Sequence, residues 1–270
     1  FFFFFFLRSI GGLKTEEYLP AFKELITMAI FFFYKLNLHH TMLNLGTTLP
    51  YNRGLIIEHT NHLHEACNFS WINEDVGIWF LEGKSLPYPL PPILTKEGLS
   101  ACVENIKSTQ SQLAAPLSIE FPGFTDGASF YVGNIDAWNF FADLAANTQS
   151  LVTLDTGHIL GWEWLCGRTE DEMYKRLEDF PYELVVELHL SGSEIRNGKF
   201  YDRHHGILLN EQIKLLKFLV SRCKNLEVVT YEDPQFLADG SLISASIEGY
   251  AQLKKEVGIW KHQQKIWNEV

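Results

Sequence analysis

The sequence is poor in cysteine: Cys67, Cys102, Cys166 and Cys223 are scattered, and no two form a CxxC pair. That argues against a disulfide-stapled scaffold and predicts reduced, mostly buried thiols in a cytoplasmic protein. Basic residues are also few, 22 Lys and Arg against 33 Asp and Glu, for a formal net charge of -11. Affinity for a phosphate backbone rests on Lys and Arg, so no nucleic-acid partner is expected. No apolar run approaches the roughly 20 residues of a membrane span, and no signal-peptide layout is visible, so no membrane partner is expected either. GxGxxG and GxxxxGK[ST] are both missing, which weakens nucleotide-binding readings.

What is present can bury a full core: 270 residues, of which 46% are hydrophobic and 20% charged. One α/β domain over residues 1–270 is the expectation. The runs FFFFFF at the start and FFF at Phe31–Phe33 carry no functional weight, although Phe1–Leu7 reads as a strand on hydrophobicity. Further strands are expected at Lys35–His40, Phe69–Asp75, PLSIEF, Leu151–Asp155, Leu184–Leu190 and Leu226–Tyr231. Helical apolar periods run over Thr15–Met28, Gly54–Cys67, Thr95–Gln112, Ile135–Asn147, Thr169–Leu177 and Asn210–Lys224, with a mostly helical tail from Ser244. SLPYPLPP and GWEWLCGR read as loops. Strand, loop and helix repeated evenly over this length predict a parallel sheet closed as a (β/α)8 TIM barrel, rather than an open doubly wound sheet.

The apolar runs end in one chemistry. SLVTLDTGHIL breaks into Asp155 and His158, three apart across a glycine, so that one turn can swing both side chains toward one point. KLNLHH ends in His39 and His40, PLSIEF in Glu120, ELVVELHL in Glu187 and His189, and EVVTYED in Glu232 and Asp233; YDRHHG adds Asp202, His204 and His205. A single histidine at a strand end is ordinarily a hydrogen-bonded imidazole, and an aspartate there ordinarily caps the next helix. Repetition over independent strands points instead to a metal site. His39, Glu120, Asp155, His158, His189, Asp202, His204 and Glu232 would project over one mouth, where clustered carboxylates repel one another without cations. Nitrogen and oxygen ligands without cysteine suit iron, manganese or zinc, and this many ligands suit two or three ions, with Glu120 placed to bridge.

From Leu36 to Asp233 the segments LNLHHTMLNLG, WINEDVGIW, SLPYPLPPILTKEGL, PLSIEFP, LDTGH, ELHLSG, YDRHH and TYED resemble, in order and spacing, the multinuclear non-haem iron-dependent oxidases. That family includes the methanobactin-biosynthesis oxidase. The resemblance implies a xylose-isomerase-like barrel, with His39, Asp75, Glu120, Asp155, His158, His189, Asp202, His204 and Glu232 as ligands. Asp75 stands where the family usually has histidine, Gly157-His158 replaces its usual pair, and His205 stands for a common aspartate. The implied activity is oxidation by O2 of cysteine in a ribosomally made precursor peptide, with two or three iron ions and Glu120, His189 and Asp202 at the chemistry. A separate peptide-recognition protein is an implied partner. Glu74, Glu187 and Arg203 are candidates to orient ligands.

LDTGH and DRH also resemble the zinc-dependent apurinic endonucleases, which would cleave a phosphodiester without O2. A sugar isomerase or epimerase of the same superfold is a further alternative by fold analogy, as is a metal-storing or peptide-binding scaffold without catalysis.

Overall fold

The computed structural model describes residues 2–7, 35–124, 130–203, 208–232 and 243–267, together with Thr27, Leu237 and Ser241. The helix expected over Thr15–Met28 and the residues His204, His205 and Asp233 therefore fall, almost entirely, outside the described residues.

Seven parallel strands form one sheet: β1 (Phe2–Leu7), β2 (Lys35–His40), β3 (Phe69–Asp75), β6 (Leu117–Glu120), β7 (Leu151–Asp155), β8 (Val185–Leu190) and β11 (Val228–Tyr231), in the order β1-β2-β3-β6-β7-β8-β11. Each follows one of the seven apolar runs. An eighth strand and a ladder joining β1 to β11 are not among the described residues. Two antiparallel hairpins stand outside the sheet, β4 (Ile78–Leu81) with β5 (Lys84–Leu90) and β9 (Ser193–Arg196) with β10 (Lys199–Asp202). The helices are α1 (Gly54–Cys67), α2 (Lys96–Gln110), α3 (Ala137–Thr148), α4 (Thr156–Leu165), α5 (Glu170–Leu177), α6 (Asn210–Val220) and α7 (Ser244–Trp267).

The sheet curls. Strands β2 and β8 are four neighbours apart, roughly 19 Å if the sheet were flat at ~4.8 Å per strand. Yet Asn37 Nδ2 on β2 donates to Glu187 Oε2 on β8 at 2.8 Å, and the rings of His39 and His189 are 5.8 Å apart. These contacts put one face of the strands inside a barrel. Alternation then assigns the other residues. Asn37, His39, Trp71, Asn73, Asp75, Ser118, Glu120, Thr153, Asp155, Glu187, His189 and Thr230 point inward. Leu36, Leu38, Ile72, Ile119, Val152, Leu154, Leu188 and Leu190 point outward and are buried. His40 also points outward, where its Nε2 lies 3.0 Å from Thr60 Oγ1 on α1.

Two segments expected to be loops are ordered elements. Within GWEWLCGR, the residues through Leu165 belong to α4. Asp155 caps this helix by accepting from the His158 amide at 2.9 Å, and all its residues from Thr156 to Glu163 are buried. A helix buried all round shows no one-sided apolar period, so the periodicity hid it. At Gly161 an added Cβ would lie 2.0 Å from the Phe124 carbonyl oxygen, so only glycine lets α4 pack there. SLPYPLPP is largely β5. A two-stranded hairpin leaves it an edge where proline is tolerated, and the turn at Glu82 (φ 49°) and Gly83 (φ 77°) has the paired positive φ of a tight hairpin. The β9–β10 turn repeats this with Asn197 (φ 54°) and Gly198 (φ 72°).

Further pairing fixes α4 against its neighbours. Asp136 caps α3 and accepts from Arg168 Nη2 at 2.6 Å and from Trp162 Nε1 at 3.2 Å. Cys67, Cys102 and Cys223 are buried and Cys166 is half-buried, and all four are free thiols.

Candidate metal centre

The strand ends bring most of the expected residues to one place. His39 Nε2 lies 3.0 Å from Glu120 Oε2, 3.7 Å from Asp75 Oδ2 and 3.9 Å from Glu232 Oε1. His189 Nδ1 lies 3.1 Å from Glu120 Oε1 and 3.3 Å from Glu232 Oε1. Glu120 thus turns one oxygen to each histidine, the disposition of a bridging carboxylate. Three overlapping groups have ligand atoms within 4.8 Å of one another: His39, His189 and Glu232; Glu120, Asp155, His189 and Glu232; and His39, Asp75 and Glu120.

His158 and Asp202 form the outer side of the cluster, with Nε2 3.4 Å from Asp202 Oδ2. Asp202 is not on a barrel strand: it ends β10, and Ser191 Oγ donates to its Oδ1 at 2.7 Å. Two glycines make room here. A Cβ at Gly157 would lie 3.0 Å from Asp155 Oδ1 and 3.3 Å from Asp202 Oδ1, and one at Gly123 would lie 3.1 Å from His158 Nε2.

Each histidine has one nitrogen committed to the protein and the other facing the cluster. His39 Nδ1 donates to the His40 carbonyl at 3.1 Å and His158 Nδ1 to the Phe121 carbonyl at 2.8 Å. A carbonyl only accepts, so these nitrogens carry a proton, and Nε2 is the nitrogen each ring turns toward the cluster. In His189 the order is reversed, with Nε2 3.1 Å from Glu187 Oε1.

Without a cation, protons take up the charge. Burial pulls the His39 imidazole down, but the hydrogen bond and charge of Glu120 outweigh it and raise the pKa to about 9. His189 is likewise raised well above its ordinary value, burial being outweighed by Glu120, Glu232 and Glu187. Asp155 raises His158 in the same way, helped by Asp202 and Asp75. Burial pushes Asp155 up to about 7 and, with Glu120 beside it, Asp75 up to about 6. Glu120 alone is held well below the carboxylate range, because His189 and His39 outweigh its burial. Asp155 Oδ2 is buried without a hydrogen-bond partner. An orphaned carboxylate oxygen among three imidazoles and four more acids suits a cation, so the residues fit a metal centre.

Several contributors were not anticipated. Asn73 Nδ2 donates to Glu120 Oε2 at 2.6 Å, and Asn37 and Trp71 both donate to Glu187 at 2.8 Å. Their signal was alternation: each lies two or four residues before an inward ligand on β2 or β3. Glu74, expected to orient ligands, points outward and accepts the amides of Met42, Leu43 and Asn44 at 2.7 to 3.1 Å, clamping the loop after β2. Arg203 is exposed and pairs with Glu194 at 3.2 Å.

A curled parallel sheet with its ligands at the carboxyl ends of the strands defines a TIM-barrel protein with a candidate metal centre. Solved structures place it among xylose-isomerase-like barrels. A D-psicose 3-epimerase with D-tagatose from Clostridium cellulolyticum H10 superposes with a TM-score of 0.58 at 12% identity, covering 94% of this chain and 87% of that one. An L-ribulose 3-epimerase gives 0.52 at 10% identity, covering 98% and 86%. At such identities the likeness shows the fold alone. The family described as RiPP precursor modification enzyme MbnB/TglH/ChrH matches residues 16–245, and the chain belongs to it. A UPF0276 protein of Streptomyces avermitilis is 26% identical over 167 residues, 57% of this chain. The chain spans 30% of that relative's length. No helix among the described residues is long and apolar enough to cross a membrane.

Proposed function

We propose that this chain is an O2-dependent oxidase that modifies cysteine in a ribosomally synthesised precursor peptide, using two or three iron ions. His39, Asp75, Glu120, Asp155, His158, His189, Asp202 and Glu232 would hold the ions, with His204 as a further ligand beyond the described residues. Zinc and manganese are the alternative ions for such a donor set. The observation that carries the reading is the buried cluster itself, four carboxylates and three imidazoles around an oxygen of Asp155 with no partner. Bound iron would supply O2 activation and an open position for the peptide thiolate.

The protein's own groups do the rest. Glu120, with its two oxygens directed at His39 and His189, would hold the ions together with those two histidines. Glu120, Asp155 and His189 are fully buried, whereas Asp75, His158 and Asp202 keep some exposure. The peptide cysteine would therefore meet the cluster from the Asp75–His158–Asp202 side, with Asp202, Glu120 and His189 nearest the chemistry. The segments TTLPYNRG, where Leu49 is 48% exposed, and FPGFTDGASF, whose residues 125–129 lie outside the described residues, are the candidate contact segments for the peptide and for a separate peptide-recognition protein. We place the activity in the cytoplasm, where free thiols persist, and read residues 1–270 as one barrel domain. Family membership favours this over the phosphodiesterase and sugar epimerase readings.

The test is elemental mass spectrometry of protein purified without oxygen, followed by O2 uptake with a cysteine-containing precursor peptide. Two or more irons per chain, lost in His189→Ala and in Glu120→Ala, with peptide-dependent O2 uptake, are expected. Zinc without O2 uptake would move the protein to hydrolytic or isomerase chemistry, and retained metal in both variants would overturn the site.

A further inference from the structure

Beneath the ligands the barrel holds a second polar layer. Glu187 is fully buried and receives three donors: Asn37 Nδ2 and Trp71 Nε1 reach Oε2 at 2.8 Å each, and Thr230 Oγ1 reaches Oε1 at 2.6 Å. Those donors come from β2, β3 and β11, so the carboxylate ties three strands to β8. In most TIM barrels this level is filled by branched aliphatic side chains. Burying a carboxylate there without a function is costly.

Glu187 Oε1 also lies 3.1 Å from His189 Nε2. The three cluster histidines therefore differ. His39 and His158 are anchored on neutral backbone carbonyls, whereas His189 turns its Nε2 to a carboxylate 3.1 Å away. A charged anchor holds the imidazole proton more strongly than a carbonyl, and makes the opposite nitrogen a better donor to a cation.

We propose that Glu187 is a positioning residue that keeps the proton of His189 on Nε2, so that Nδ1 presents its lone pair between Glu120 and Glu232. Asn37, Trp71 and Thr230 hold Glu187 for that task. The ion nearest His189 is then the most tightly bound of the set. This inference rests on the reading of the cluster as a metal centre.

The test uses zinc, a diamagnetic probe, on full-length protein labelled with 15N-histidine. Unaltered protein should show His189 protonated at Nε2 and metal-bound at Nδ1, the opposite of His39 and His158. Glu187→Gln keeps the shape and removes the charge. It should weaken the tightest zinc site by about 10- to 100-fold in competition with a chromophoric chelator. It should also change the 15N pattern of His189 while leaving those of His39 and His158. Thr230→Val, which removes one donor and keeps Glu187, should shift the same signals less and serves if Glu187→Gln does not fold. An unchanged His189 pattern and affinity in both variants, or Nε2 ligation in the unaltered protein, would overturn the role of Glu187 and leave the metal centre standing. Failure of the unaltered protein to bind zinc or iron would overturn both.

Discussion

The two faces of strands β2, β3, β6, β7 and β8 are built on opposite principles. Outward, Leu36, Leu38, Ile72, Ile119, Val152, Leu154, Leu188 and Leu190 join one continuous apolar core with the helices. Inward, nearly every position described carries a polar or charged side chain, from Asn37 and Glu187 up to His39, Glu120 and Asp155. The outer face has hydrophobic burial to hold the fold together; the inner face spends that stability on a crowd of like charges. The barrel's stability and its chemistry thus lie back to back, one residue apart.

Neighbouring residues on β7 give the sharpest test of that division. Leu154→Ala should lower stability by about 2–5 kcal/mol, as expected for a truncated core leucine, in urea unfolding of the metal-free protein, with metal content unchanged. Asp155→Asn should act the other way. Asparagine still caps α4, while removing a buried charge should raise the unfolding midpoint at pH 8 and weaken metal binding. Destabilisation by both would show that the inner face contributes to the fold as the outer face does.

A smaller effect is expected at Gly157. Alanine there favours helix by up to ~1 kcal/mol, yet its Cβ would crowd Asp155, Ser191 and Asp202 at 3.0 to 3.3 Å. Metal titration should show roughly tenfold weaker binding, ~1.4 kcal/mol, with stability unchanged or raised. A fall in stability with binding intact would place the glycine in the fold's service instead.

The smallest effect is on pH dependence. Asp155 at about 7, Glu74 at about 8 and His39 at about 9 all lie above their ordinary values. A raised group gives its full stabilisation below its ordinary value and loses it as pH climbs through the raised one. His40, lowered to about 3 by burial, loses stability only as pH falls below 6.5 and is silent above neutrality. The metal-free protein should therefore melt a few degrees lower at pH 9 than at pH 7, roughly the shift that ~1 kcal/mol produces in a chain this size. Added metal should restore more at pH 9, where it displaces fewer protons. A melting temperature that rises over this interval would contradict the assignment of protons to the cluster.

Much of this was legible because the inner and outer faces alternate. The seven apolar runs are the seven barrel strands, and of the polar residues closing them His39, Asp75, Glu120, Asp155, His189 and Glu232 converge on the cluster, while His40 and Glu74 point outward. What was hidden lay where alternation gives no contrast. Asn37, Trp71 and Asn73 sit in mid-strand, where polar residues look like interruptions, and Glu187, the partner of the first two, lies 150 residues from Asn37. The helix α4 has no exposed face to set off its buried one. The β9–β10 turn did carry a local signal, Asn197-Gly198, and reading it would have placed Asp202 at the end of a hairpin.

The layer around Glu187 also decides traffic. Asn37, Trp71 and Glu187 are packed and bonded across the barrel below the ligands, so the interior is stoppered from that end. Among the described residues, Asp75, His158 and Asp202 are the cluster members that keep some exposure, so under the proposed function ions and peptide would approach on that side. On that reading a seated peptide would cover ions already bound, and metal loading would come before substrate.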